Sequence, residues 1–234
     1  MRTAAILPVK SFARAKQRLG ASVEDQLRVA LARAMVADVM LALARTSAIE
    51  RTIVVTREQS VVAAAGELGA IVVRDGAESG QPAAASLGVR RALADGFERV
   101  LCVPGDCPAL DPAELDELLS AHGSASGSAA AGRSVVIVPD RHGTGTNGLL
   151  LSPADAIAPS FGPGSCERHR RLALEAGLEA RLEWPQSLLL DIDTGADLAA
   201  LRARLAELDG GAERTRAVLA QSERTTALPL TGSA

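Results

Sequence analysis

The sequence has no tyrosine, and its 234 residues include only three phenylalanines and one tryptophan. A core cannot be built on rings, so with nearly half of the residues apolar it must be built on Ala, Val, Leu and Ile. Side chains of that size suit helices packed closely on a parallel sheet. The shortage of aromatics also removes the stacking platform of a single-strand binder, and a formal net charge of −3 removes the basic face of a duplex binder. No nucleic-acid partner is expected.

Cysteine is scarce as well. Cys102, Cys107 and Cys166 are odd in number and share no CxxC spacing, which argues against a disulfide framework and against zinc, and for free packing thiols in a reduced compartment. His122, His142 and His169 lack metal-ligand spacing. The start, MRTAAILPVKSFARAK, holds no apolar run long enough for a signal peptide or a membrane span. The expected compartment is the cytoplasm, with no membrane partner. GxxxxGK[ST] and GxSxG are absent, which excludes a P-loop and a nucleophile elbow.

What is present centres on Leu101 to Leu110, LCVPGDCPAL. Its apolar start reads as a buried parallel strand that stops at Pro104-Gly105, and the next residue is Asp106. In an open α/β sheet, ligands bind beyond the carboxyl ends of the strands. A carboxylate there suits Mg2+, which takes one or two protein carboxylates and completes its shell with phosphate oxygens and water. A turn in which Asp106 bonds its own backbone is the competing reading. Thr3 to Val9 is an earlier strand, and Lys10, Arg14, Lys16 and Arg18 follow it within nine residues. Cations just after a first strand are placed to meet a polyphosphate, although a basic loop can also simply face water.

The remaining elements follow in order. A helix is expected from Ser22, as N-cap, to Arg45, a strand over Thr52 to Thr56, a helix over Ser60 to Leu68 and a strand over Ala70 to Val73. After the polar loop Arg74 to Pro82, the helix Ala83 to Ala94 is rich in small residues, and Gly80 and Gly88 let backbone approach a flat base. Asp111-Pro112-Ala113-Glu114 is a strong helix start. The segment 123–132, GSASGSAAAG, reads as a flexible insertion. Strands are expected at Ser134 to Val138 and Leu149 to Leu151. The loop between them, Asp140 to Gly148, offers backbone N–H groups with Thr144, Thr146 and Asn147; anion holding and a plain hairpin turn are both open there. Phe161 to Cys166 opens a helix carrying Glu167, Arg168, His169, Arg170 and Arg171, an anion site by geometry. A late strand, Ser187 to Leu190, leads to Asp191 and Asp193. These point the same way if the run stays extended, and otherwise serve as caps of the helix Ala196 to Leu208. From Asp209 the chain reads as a poorly ordered tail with a short helix near Ala217.

LPVKSFARAKQRL (Leu7 to Leu19), VPGDCPAL (Val103 to Leu110), GTGTNGLLLSP (Gly143 to Pro153), FGPGSCERH (Phe161 to His169) and LDIDTGADL (Leu190 to Leu198) resemble the phospholactate/phosphoenolpyruvate guanylyltransferase family of F-420 coenzyme biosynthesis. The likeness spans nearly the whole chain. It implies an α/β, three-layer Rossmann-like fold of the GT-A, nucleotide-diphospho-sugar transferase type, with a mixed, mostly parallel sheet. Residues 1–208 would form a single nucleotidyltransferase domain, followed by the tail 209–234. The implied reaction joins GTP to phosphoenolpyruvate, giving enolpyruvoyl-2-diphospho-5'-guanosine and pyrophosphate.

By the same resemblance, Lys10, Lys16 and Arg18 would hold the triphosphate and Asp106, Asp191 and Asp193 would hold Mg2+. Thr146, Gly162 and Ser165 match the positions of the family's phospho-acid contacts. Gly80-Gln81-Pro82-Ala83 stands where the family often carries Gly-Leu-Asn-Ala, which puts Gly80 and Pro82 near the base and leaves guanine selection open. 2-Phospho-L-lactate or 3-phosphoglycerate as acceptor, a non-catalytic nucleotide-binding module and a homodimeric assembly also stay open at this point.

Overall fold

The computed structural model describes residues 1–14, 16–21, 23–76, 80–122 and 133–227. Ser22, the whole of 123–132 and the end of the tail, 228–234, lie outside them. Seven strands form one sheet: β1 (Thr3–Val9), β2 (Arg51–Thr56), β3 (Ile71–Arg74), β4 (Arg99–Cys102), β5 (Ser134–Pro139), β6 (Thr146–Ser152) and β7 (Ala180–Leu182). Their spatial order is β3-β2-β1-β4-β6-β5-β7. Neighbours pair in parallel except on either side of β6, which runs against both β4 and β5. The mixed, mostly parallel sheet is the one the sequence implied.

Strand alternation sorts the core into two layers. Ala5, Leu7, Val54, Leu101, Val136 and Leu150 face one side, and α1 (Asp25–Arg45), α2 (Gln59–Glu67) and α4 (Pro112–Ala121) cover them. Ala4, Ile6, Val55, Cys102, Ile137 and Leu149 face the other side, beneath α3 (Gln81–Ala94) and α5 (Ser165–Glu175). All of these strand residues are essentially inaccessible to water. With so few rings available, the layers close by near contact of small side chains. A methyl group at Gly88 of α3 would stand 2.3 Å from Ile6 Cγ2 and 3.2 Å from Val55 Cγ2, so Gly88 sets how closely α3 approaches the sheet.

A third apolar cluster corrects the reading of the tail. Leu31 and Met35 on α1 pack with Leu198, Leu201 and Leu205 on α6 (Gly195–Glu207) and with Ala212 and Leu219. Residues from 209 on are therefore not a loose tail as far as they are described, because Glu213–Ala227 form a helix, α7, docked on α1. Its first turn is capped from another helix: the Asp38 carboxylate of α1 accepts the N–H groups of Arg214 (3.1 Å) and Thr215 (2.8 Å). A cap supplied 176 residues away leaves no local signature in the sequence.

Three further expectations change. The expected strand at Ser187 to Leu190 is replaced by a 3₁₀ turn, Gln186–Leu188, after Pro185. The Ser187 N–H is taken by Glu114 Oε2 at 2.8 Å and the Leu188 carbonyl by Asn147, so the segment is pinned by side chains in place of a ladder. β6 begins at Thr146, earlier than expected, and α1 begins at Asp25 with Glu24 as its N-cap. No helix among the described residues is long and apolar enough to cross a membrane.

Replacing Gly88 by Ala tests how tightly the layers close. Alanine alone would favour the helix by about 1 kcal/mol, but overpacking against Ile6 and Val55, which are stiff β-branched residues, costs about 1–3 kcal/mol. Chemical denaturation should show a net loss of stability, and a more stable variant would mean that the contact gives way freely.

Candidate active site

The carboxyl ends of β1, β3 and β4 lie at one edge of the sheet, and β6, being antiparallel, brings its first residues to the same edge. A cleft of about 700 Å³ opens there. Lys10, Lys16, Arg18, Asp106, Thr146, Gly162, Ser165, Asp191 and Asp193 all line it. Gly80 and Pro82 start α3, and the cleft wall beside them is made by Gln81 and Ala84 of the same first turn.

The centre of the site is the Lys16 ammonium, which donates to Asp106 Oδ2 and, at 2.7 Å, to Asp193 Oδ1. The Lys16 side chain is only 9% exposed. Burial works against its charge, but the two carboxylates outweigh that effect and hold its pKa above that of an ordinary lysine. Asp191 stands beside this pair, bonded by Asn147 Nδ2 at 3.2 Å. Its pKa is raised, first by burial and then by the charge of Asp106. Asp191 and Asp193 do converge on the cleft, but through an irregular segment and not a strand; the Ile192 N–H bonds the Asp106 carbonyl at 3.2 Å, and the Ile192 side chain is fully buried between them.

Whether these residues suit a cation can be judged from the donor set. All three side chains offer hard carboxylate oxygens, and Asp106 Oδ1 is buried with no hydrogen-bond partner, an orphaned acceptor that a hard cation would satisfy. Among the described residues no three His, Cys, Asp or Glu side chains stand in a ready ligand cage. The arrangement therefore fits a site with one or two protein carboxylates, its remaining positions filled by ligand oxygens, and not an all-protein cage.

The turn into α5 forms another part of the cleft wall. Gly162 (φ 118°) and Gly164 (φ 69°) turn the chain into α5 through conformations that suit glycine. The Ser165 and Cys166 N–H groups are taken by the Gly162 and Thr144 carbonyls at 3.0 and 3.2 Å, so the polar group left over at the start of α5 is Ser165 Oγ, buried and without a hydrogen-bond partner. Arg168 does not serve this corner as a charge: its guanidinium bonds the Pro163 carbonyl, Ser160 Oγ and the Ser160 carbonyl, bracing the loop. Arg170 and Arg171 pair on the exposed face of α5 with Glu167 and Glu175. The cations expected from FGPGSCERHRR are thus structural or solvated.

Sequence reasoning missed several wall residues. Arg141 and His142 line the cleft, as do Asp75, Gln81 and Asp197. Arg141 pairs with Asp197, which also closes the capping box of α6 with Thr194. Both Arg141 and His142 lie in DRHGTGTNG, where the glycines drew attention away from the charges. The thiols are free and buried; Cys107 lies under Asp106, with its pKa raised by burial and by the nearby carboxylates, so it packs and does not react. His169 is fully buried, 3.0 Å from Thr146 Oγ1 and 2.8 Å from the Ser160 N–H.

The chain matches the family model "Guanylyl transferase CofC like" over residues 3–216. It is 48% identical over 225 residues to a phosphoenolpyruvate guanylyltransferase of Conexibacter woesei, covering 96% of this chain and 98% of that one. A second phosphoenolpyruvate guanylyltransferase, from Rubrobacter xylanophilus, is 38% identical over 199 residues, 85% of this chain and 93% of that one. Among solved structures, a protein of Desulfovibrio desulfuricans described as a nucleotide-diphospho-sugar transferase superposes with a TM-score of 0.72 over 96% of both chains. At 18% identity it bears on the fold alone.

Burial, followed by the charge of Arg168, pushes the His169 imidazole down to about 4. An unfolded chain binds that proton near pH 6.5. Stability is therefore complete above pH 6.5 and falls as the pH drops toward 4, since only the unfolded state takes up the proton in that window. Between about pH 7.5 and 5 the wild type should lose about 2 kcal/mol more unfolding free energy than His169→Gln. Parallel losses in urea titrations of the two proteins would show that the ring titrates normally.

Proposed function

From its membership of the CofC-like guanylyl transferase family, to which the chain belongs, and from the geometry of the cleft, we propose that this nucleotidyltransferase joins GTP to phosphoenolpyruvate. The products would be enolpyruvoyl-2-diphospho-5'-guanosine and pyrophosphate. One observation carries the reading: a single cleft is lined both by the charged group Lys16, Asp106, Asp191 and Asp193 and by the neutral residues Thr146, Gly162 and Ser165. A triphosphate suits the first set and a small phospho-acid the second. The names of the two relatives favour phosphoenolpyruvate as the acid.

In the proposed reaction a phosphate oxygen of the acceptor attacks the α-phosphorus of GTP in line. The new P–O bond forms as the bond to pyrophosphate breaks, and pyrophosphate leaves with the electron pair. The attacking oxygen is already ionised, so the step needs no general base. Positioning and charge neutralisation supply the rate. Lys10, Lys16 and Arg18 meet the triphosphate, Lys16 by exchanging a carboxylate partner for phosphate oxygens. Mg2+, held by Asp106 and Asp191 with Asp193, would neutralise charge on the triphosphate. The Ser165 and Thr146 hydroxyls orient the acceptor.

Pyrophosphate release, with the intact product identified by mass, tests the proposal across the four nucleoside triphosphates and three acceptors: phosphoenolpyruvate, 2-phospho-L-lactate and 3-phosphoglycerate. Mg2+-dependent release with GTP and phosphoenolpyruvate is expected. Nucleotide binding with no turnover on any acceptor would favour a non-catalytic module instead.

A second expectation concerns Asp191. Because its charge is desolvated and repelled by Asp106, Asp191→Asn should melt no lower than the wild type while its kcat falls by about a hundredfold or more. Normal turnover in that variant would remove Asp191 from the reaction.

A further inference from the structure

We infer that His169 is a positioning residue for the acceptor, because its ring fixes the hydroxyl of Thr146 as a donor aimed into the cleft. The inference rests on the reading above that Thr146 contacts the phospho-acid. The hydrogen bonds settle the direction. The backbone N–H of Ser160 lies 2.8 Å from His169 Nε2 and can only donate, so Nε2 carries the lone pair. A neutral ring then holds its proton on Nδ1.

Nδ1 is 3.0 Å from Thr146 Oγ1, so that bond runs from ring to hydroxyl, and the threonine oxygen is the acceptor. Its own proton must go elsewhere. Thr146 lines the cleft, and no other side-chain hydrogen bond of Thr146 occurs among the described residues. A ligand oxygen in the cleft is the partner this geometry leaves for it.

The ring has little freedom to do otherwise. It is fully buried, and Phe161 packs edge-on against it with centroids 5.3 Å apart. The Cys166 N–H bonds the Thr144 carbonyl at 3.2 Å, which ties the start of α5 to the approach of β6. A protonated ring would set a second N–H against that of Ser160, so only the neutral form satisfies both partners. Together with the unpartnered Ser165 Oγ, the corner presents two hydroxyl protons that the protein itself does not use. A ligand that can only accept, such as a phosphate or carboxylate, takes both. An alcohol or amine in the same place would compete for them.

Substitution by asparagine and by glutamine separates the two ring functions. In His169→Asn the side-chain amide N–H takes the place of Nδ1–H, whereas in His169→Gln the amide reaches the Nε2 position and leaves Thr146 undirected. His169→Gln should raise KM for phosphoenolpyruvate about tenfold with KM for GTP unchanged, and His169→Asn should recover most of that loss. In a Thr146→Val background, which by itself raises the same KM, His169→Gln should add nothing further. An equal additional loss in that background, or no recovery by His169→Asn, would overturn the inference while leaving the acceptor corner in place. Thr146→Val with an unchanged KM would overturn the acceptor reading itself. Histidine ¹⁵N spectra test the same point: the His169 ring, assigned by the signal lost in His169→Gln, should be the Nδ1–H tautomer at neutral pH, and the Nε2–H tautomer would overturn the inference.

Discussion

The Lys16 ammonium between Asp106 and Asp193 is the constraint on which the rest of the site depends. It joins a loop after the first strand to the turn after β4 and to a segment near the end of the domain, across sequence separations of 90 and 177 residues. Three carboxylates at one sheet edge repel one another, and part of their surface is shielded from water. A cation of some kind has to stand among them. In the protein alone that cation is a lysine, and a buried ion pair of this kind is held less by its own net stability than by the penalty of leaving either partner unpaired. The pair can therefore be exchanged for other charges without a large change in free energy, as a site that must take up and release a polyphosphate requires.

The sheet supplies the second constraint. Parallel strands alone would collect their carboxyl ends, with Lys10 and Asp106, at one edge, but they would leave the acceptor side without a wall. Reversing β6 brings an amino end to that edge, and the two buried polar residues that begin the strand, Thr146 and Asn147, face different duties there. Asn147 bonds Asp191 and the Leu188 carbonyl beside the carboxylates, whereas Thr146 bonds His169 on the side proposed for the acceptor. One strand end thus sets the distance between the two halves of the cleft. The register is fixed by β5, where a shift between Val138 and Pro139 accommodates the turn through Gly145.

Most of the fold was legible because it is carried by local signals: apolar runs of strand length, the Asp111-Pro112 helix start, and the small-residue stripe of α3. Asp106 and the basic loop were legible for the same reason, since both follow directly after strands, whereas Asp191 and Asp193 were legible only from their spacing, no strand directly preceding them. What escaped depends on partners distant in sequence. The helix at Glu213–Ala227 is capped by Asp38, and Arg141 faces the cleft while paired with Asp197. The three residues of β7 are too few, and too exposed at the sheet edge, to show an alternation. The arginines of α5 misled in the other direction. A cation near a glycine turn looks like a ligand in sequence, yet Arg168 satisfies the carbonyls of the very loop that Gly162 and Gly164 leave open.

The use of neutral donors in the acceptor corner follows from the chemistry proposed for it. The acceptor phosphate is itself the nucleophile, and a cation bonded to its attacking oxygen would lower the electron density that must reach the α-phosphorus. Hydroxyls orient the anion at about half the strength of a charged donor, which fixes geometry without quenching the nucleophile. The side proposed for the triphosphate has the reverse task. There charge accumulates on the leaving pyrophosphate, and ammonium and guanidinium groups are most useful where the transition state is more negative than the ground state. The division of labour proposed between Lys10, Lys16 and Arg18 and the neutral Thr146, Gly162 and Ser165 is thus what a transfer between two anions demands. Arg168 complies because its guanidinium is held by the Pro163 and Ser160 carbonyls and by Ser160 Oγ.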